Sequence, residues 1–349
     1  MAPQLGIVTR YLRNEVTHAA IHLAEITHEH GIRSTIFGAG HVCRDVAKRW
    51  DAEVVTAQQC PLVQWAAECD HIVYTYVPSP REIAHVQHLG VRTTILVNWE
   101  VLLPTDRAGF TSFDNVIFPF RCVAKAIQKH WPAKLPPSVV MPWDVPVGLT
   151  TRDPLELRDT ACAYFPLYDT QPGRCDQSIF ALMQRVLLEL ENTRVLIACG
   201  GGWSQSSKRA LRQLHKKFGD RVEIVMRPNI LQRLLLFARA DLTVWPSRFE
   251  SFALIGLYSL CMGTPVLSWD IRPQNEYLEN QQNAILIPAR TRDNWLGVPE
   301  VTGRYQDMAD GLVGTLRDGA LLAKMKKNTT TGLASRRKQF EAGWAKLFL

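Results

Sequence analysis

Short apolar runs rich in β-branched residues alternate with helix-length segments from one end of this sequence to the other, and that alternation restricts the chain to βα units feeding parallel sheets, an α/β fold. In the first half the runs are LGIVT (5–9), STIF (34–37), AEVV (52–55), HIVYTY (71–76), TTILV (93–97), NVIF (115–118) and SVVM (138–141). The spacing after the first run predicts a helix over about 15–29, with Val16, Ala19, Ala20, Leu23 and Ile26 on the face that meets a sheet. Prolines at 132, 136, 137, 142, 146 and 154 then crowd a stretch that neither a helix interior nor a central strand tolerates. Beyond them a second series begins: TACAYF (160–165), RVLIAC (194–199), VEIVM (222–226), LTVW (242–245), PVLSW (265–269) and AILI (284–287). From about 304 onward only helical patterns remain. The last, ASRRKQFEAGWAKLFL, sets Phe340, Trp344 and Leu347 on one stripe with Arg336, Arg337 and Lys338 off it.

A chain of 349 residues is too long for one core, since single cores stop growing beyond about 250 residues. The expectation is two domains, 1–150 and 151–330, with a cleft between them and a terminal helix at 331–349. Hydrophobic residues make up 46% and charged residues 21%, which excludes a largely disordered chain. No run approaches the ~18 apolar residues of a membrane span, and the opening MAPQLGIVTRYLRNE lacks a secretory apolar segment, so a cytoplasmic protein is expected. The eight cysteines form no CxxC pair and mostly sit in apolar runs, which fits buried thiols better than disulfides or zinc. Lys and Arg exceed Asp and Glu by 40 − 33 = +7, so a polyanion or an anionic lipid surface would be attracted, although such an excess also occurs with no particular role.

The window with the most chemistry is ADLTVWPSRFESFALIGLYSLCMGTPVLSWD, 240–270. An apolar strand ends at Trp245, a Pro-Ser-Arg turn follows, and Glu250 stands before an apolar helix that ends near Gly263. Ligands bind at strand ends in open α/β sheets, and the free amides of a helix start suit a phosphate. Taken alone, Glu250 could equally be a carboxylate stabilising the helix dipole.

Ser247-Arg248-Phe249-Glu250, Phe252, Leu254 and Gly263-Thr264-Pro265-Val266 resemble, in order and spacing, the donor-binding signature of family 4 glycosyltransferases. That resemblance implies the GT-B architecture: two Rossmann-like parallel-sheet domains facing a central cleft, with the terminal helix packing back towards the N-terminal domain. It implies a hexosyltransferase that retains anomeric configuration, takes a nucleotide sugar and needs neither cofactor nor bound metal; a UDP-sugar is expected ahead of a GDP-sugar. Glu250 then contacts the transferred sugar, and the amides at Ser251, Phe252, Ala253 and Leu254 hold the donor phosphate. Two family glycines are replaced by Ser251 and Ala253, and the family's second glutamate, a ribose ligand, by Tyr258, whose phenol can still bond a hydroxyl.

In YFPLYDTQPGRCDQSIF, Arg174 matches the family's diphosphate-binding lysine, while the preceding arginine has no counterpart, which makes Arg227 or Arg248 the candidate second cation. The ACGGGWSQ segment resembles the family's glycine-rich loop near the base, with Gly201 and Gly202 allowing close backbone approach and Trp203 able to stack; a plain turn would use the same glycines. On the acceptor side the resemblance loosens. The usual Gly-Gly turn after the first strand is Thr9-Arg10-Tyr11-Leu12-Arg13, so Arg10 and Arg13, with His18 on the next helix and Trp99 after a strand end, are candidate acceptor contacts. Glu100 either acts as base on the acceptor hydroxyl or caps its loop. His18 and His22 stand four apart, but without a ligand-spaced carboxylate they read as helix-surface residues.

The charge excess and the Arg10/Arg13 loop favour nucleic acid as acceptor, specifically a hydroxymethylated pyrimidine in DNA, flipped into the cleft, as glycosylated by some viral enzymes of this architecture. The competing readings are a glycan or lipid-linked acceptor at the cytosolic membrane face, which an exposed basic helix on the N-terminal domain would support; a non-catalytic nucleotide or nucleic-acid binder; and a sugar-nucleotide epimerase.

Overall fold

The computed structural model describes residues 4–9, 15–39, 53–99, 102–131, 135–144, 160–167, 178–200, 204–250, 252–294, 296–302 and 305–348, with the backbone alone described at 15–19 and 230. The chain divides into two compact units, Met1–Trp143 with Arg336–Leu349, and Asp144–Ser335.

Unit 1 is built on a seven-stranded parallel sheet of order β3-β2-β1-β4-β5-β6-β7, where β1 is Gln4–Thr9, β2 Arg33–Gly38, β3 Glu53–Thr56, β4 His71–Tyr74, β5 Arg92–Leu96, β6 Asn115–Phe118 and β7 Ser138–Val140. Central strands of such a sheet are covered on both faces, which is why β4 reads as a continuous apolar run and is buried at every residue, whereas the edge strand β3 is nowhere fully buried. Gly6 of β1 is required by packing: a Cβ there would lie 2.6 Å from the Trp65 ring and 2.8 Å from Cys69 Sγ. The predicted first helix is present as Glu15–Glu29, with Ala20, Leu23 and Ile26 buried.

The terminal helix, Leu333–Phe348, corrects two expectations. Its buried stripe runs through Arg336, Phe340, Trp344 and Phe348, four residues apart, and Leu347 lies beside it, only partly buried. Arg336 belongs to the stripe because its guanidinium finds partners inside: Nε donates to the Trp143 carbonyl and the plane lies 5.1 Å from the Phe120 ring centroid. His22 also departs from its surface assignment. It is 4% exposed, stacked on Phe340 at 5.8 Å and edge-on to Trp143 at 5.8 Å.

Unit 2 repeats the plan with six parallel strands in the order β10-β9-β8-β11-β12-β13: β8 Ala161–Leu167, β9 Thr193–Cys199, β10 Val222–Met226, β11 Leu242–Trp245, β12 Val266–Trp269 and β13 Ala284–Ile287. Its core gathers Phe165, Met183, Val186, Leu267, Trp269, Met308 and Leu312 between sheet and helices. Burial pushes the thiols of Cys162, Cys199 and Cys261 up to about 12, which leaves them packing groups rather than nucleophiles. An antiparallel pair, β14 (Thr291–Asp293) and β15 (Pro299–Val301), has no counterpart among the expected strands; β14 is exposed throughout and carries no apolar alternation to betray it. No helix among the described residues is long and apolar enough to cross a membrane.

Candidate functional site in unit 2

In a sheet of this order the chain leaves β8 in one direction and returns to β11 on its other side, so the loops after β8 and β11 flank the topological switch point. Register places the ends together: Leu167 pairs with Cys199, and Cys199 with Met226. The ladder continues past the strands, with Gly200 N–H donating to the Leu167 carbonyl at 3.2 Å and Arg227 N–H to the Cys199 carbonyl at 2.7 Å. The C-terminal ends of β8, β9, β10 and β11 therefore all lie along one side of the sheet.

The β11 loop is tightly held. Trp245, 1% exposed, donates from Nε1 to Glu250 Oε1 at 3.2 Å, and Glu250 is itself 1% exposed. The Pro246 carbonyl accepts from Trp269 Nε1 at 3.2 Å and from the Tyr305 hydroxyl at 3.3 Å, while Ser247 Oγ donates to the Phe249 carbonyl at 2.9 Å. Arg248 lays its guanidinium 5.6 Å from the Tyr305 ring centroid, and its carbonyl accepts from Val301 N–H at 3.0 Å, so β15 props the loop from outside. Trp245, Tyr277 and Tyr305 were not identified as site residues from the sequence; the two tyrosines lie beyond the 240–270 window, and no local signal marks them.

The helix Leu254–Cys261 starts from Ala253, whose φ of 53° is left-handed, a conformation glycine adopts freely and alanine only at a cost of about 1–2 kcal/mol. The strained carbonyl is caught by the Tyr277 hydroxyl at 2.9 Å. Gly256 permits that approach, since a Cβ would meet the same hydroxyl at 2.1 Å. The side chains of Phe252, Ala253 and Leu254 are all buried, which leaves their main chain as what they can offer a ligand. Tyr258, on the second turn of the helix, is half-buried. Arg227 is exposed, with φ of 49°. In unit 1, Trp99 is buried at 4% exposure. Arg174, Gly201, Gly202, Trp203, Ser251, Glu100, Arg10 and Arg13 lie outside the described residues, as does the side chain of His18. No cluster of His, Cys, Asp and Glu suited to a metal occurs among the described residues.

A helix start at a switch point can take an anion, and a carboxylate beside it can accept from hydroxyls. Residues 175–296 match the family model described as Glycosyl transferases group 1, a segment that contains this whole loop. The D-inositol 3-phosphate glycosyltransferase of Mycobacteroides abscessus is 30% identical over 118 residues, 33% of this chain and 26% of that protein. The Jonesia denitrificans enzyme of the same name is 31% identical over 75 residues, 22% of this chain and 17% of that protein, so the match spans well under half of either relative. Among solved structures, Anabaena HepE in complex with UDP-glucose superposes with a TM-score of 0.75 at 15% identity over 99% of both chains. The pneumococcal O-GlcNAc transferase GtfA, in complex with UDP and GlcNAc, gives 0.74 at 10% identity over 99% of this chain and 98% of that one. The chain has the GT-B glycosyltransferase fold, and its group 1 segment covers the candidate site.

Proposed function

We propose that this chain is a hexosyltransferase that moves a sugar from a UDP-sugar to an acceptor hydroxyl with retention and without a bound metal. The observation that carries the reading is Glu250, fixed by Trp245 beside the helix start at the switch point of unit 2. Its carboxylate would orient the sugar hydroxyls. The amides at 251–254 and Arg174 would stabilise the departing diphosphate, which itself takes the acceptor proton on the face it leaves, so that catalysis is positioning and electrostatics. Tyr258 would hold the ribose through its phenol, and Arg227 supplies the second cation better than Arg248, whose guanidinium already lies against Tyr305. The UDP complexes of HepE and GtfA support the choice of nucleotide.

For the acceptor, a glycan or lipid-linked hydroxyl at a membrane face draws support from one feature of unit 1. The helix Arg121–His130 exposes Arg121, Lys125 and Lys129, four residues apart, and carries no acid. Hydroxymethylated DNA is the second reading, resting on the +7 balance.

The test is to incubate the chain with UDP-glucose and UDP-GlcNAc in the presence of hydroxymethylated DNA, plain DNA or polyprenyl-phosphate-linked sugars, and to weigh the products. A gain of one hexose from UDP-glucose, or of one N-acetylhexosamine from UDP-GlcNAc, on one acceptor supports transfer and names its class. Absence of any gain, together with absence of thermal stabilisation by UDP or GDP, overturns the enzyme reading. Donor conversion without acceptor would instead indicate an epimerase. Arg174→Ala is expected to lower turnover on the order of a hundredfold, and unchanged turnover removes Arg174 from the site.

A further inference from the structure

The helix Gln205–Phe218, which connects β9 to β10, buries Leu211 and Leu214, packs Ala210 and Phe218 against the core and exposes most of its other residues. Among them are Lys208, Arg209, Arg212, Lys216 and Lys217, all exposed, and the helix contains no Asp or Glu. Several other cations of unit 2 are paired, Arg185 with Glu189 and Asp310, Arg239 with Glu223 and Lys326 with Asp241. Among the described residues Lys208, Arg209, Arg212 and Lys216 form no ion pair, and Lys217 lies only over the Phe218 ring, at 5.3 Å. Positions 208, 212 and 216 repeat at i, i+4, the spacing at which like charges on a helix repel. This row is unfavourable in the isolated protein and becomes favourable against an anion.

A second observation lies on the other side of the same edge strand. The last residue of β10, Met226, is 53% exposed, and the helix that follows, Ile230–Ala238, exposes Leu231 at 44% and Leu235 at 40%, one turn apart. Large apolar side chains gathered at one edge mark an interaction surface rather than scattered exposure.

We propose that the β10 edge of unit 2 docks on an anionic phospholipid bilayer, the cations of helix 205–218 meeting head groups and Met226, Leu231 and Leu235 entering the boundary between head groups and acyl chains. A nucleic acid would satisfy the cations but offers nothing to three aliphatic side chains at the same edge; a bilayer satisfies both. The surface stands independently of which sugar or acceptor the site uses.

The test is co-sedimentation of the full chain with phosphatidylcholine vesicles with and without phosphatidylglycerol, and a parallel duplex-DNA binding assay. Binding to the phosphatidylglycerol vesicles is expected, weakening with added salt. The variant Lys208→Glu/Arg212→Glu/Lys216→Glu should bind them about tenfold or more weakly, and Leu231→Ser/Leu235→Ser severalfold more weakly. All five positions are exposed, and circular dichroism confirms folding of both variants. The proposal is overturned if the folded wild type ignores the vesicles, or if charge reversal leaves partitioning unchanged. It is also overturned if the serine variant binds vesicles like wild type while charge reversal abolishes DNA binding, which would make the surface one for nucleic acid.

Discussion

Unit 1 and unit 2 share one plan, a parallel sheet that grows outward from its first strand, returns and grows the other way, yet they use their strand ends differently. In unit 1 Thr75 Oγ1 donates there to the Val8 carbonyl at 3.2 Å, and Asn98 and Trp99 are buried. In unit 2 the corresponding edge holds the Trp245–Glu250 pair, a left-handed alanine and a helix start. The difference teaches that one topology can prepare the same place in both units while particular side chains set what each described edge offers, and the proposed function rests on those of unit 2.

The sharpest way to break this comparison is to attack the structural role of unit 1. Trp344→Ala empties a fully buried position under the terminal helix and is expected to cost about 3–5 kcal/mol in urea unfolding; a cost below about 1 kcal/mol would show that the helix is an accessory to unit 1 and not part of its core. Glu250→Gln tests the chemical role of unit 2. Its amide oxygen can still accept from Trp245 Nε1, so the thermal midpoint should barely move while turnover falls on the order of a hundredfold. If turnover is retained, the equipped edge is not where the chemistry happens.

A smaller effect concerns pH. Burial, and then Glu29, pushes the Glu25 carboxyl of unit 1 up to about 7 from its ordinary 4.5, against a lowering by Arg337. The folded state thus holds a proton that the unfolded state has released between those values, so this group's contribution to stability falls as pH rises from about 4.5 through 7. Glu25→Gln should flatten that part of the stability profile measured by denaturant titration, and an unchanged slope would remove Glu25 as its source. The smallest change is expected from Ala253→Gly: release of the left-handed strain, partly offset by greater freedom of the unfolded chain, should stabilise unit 2 by up to about 1 kcal/mol, and destabilisation by scanning calorimetry would mean the methyl packs better than its backbone suffers.

Strand positions were legible because short runs rich in β-branched residues and bounded by turns mark strands whether central or at an edge: VEIVM, LTVW and AILI coincide with β10, β11 and β13 residue for residue. The 240–270 window was legible for the same local reason, since a strand, a turn and a helix follow one another within it. What escaped was partnership across long separations. Arg336 and Phe348 lie on the buried stripe because of Trp143, Phe120 and His71, groups almost two hundred residues or more away.

The amino-acid order alone determined the two series of βα units and the acid before the helix Leu254–Cys261, because each is written in the period and chemistry of neighbouring residues. Only the tertiary structure decided that Trp245 would hold that acid, that Tyr277 would hold the alanine where the family has glycine, and that an arginine would lie in a core. Those outcomes depend on which distant side chains a sheet brings within hydrogen-bonding distance, and no local pattern encodes that proximity.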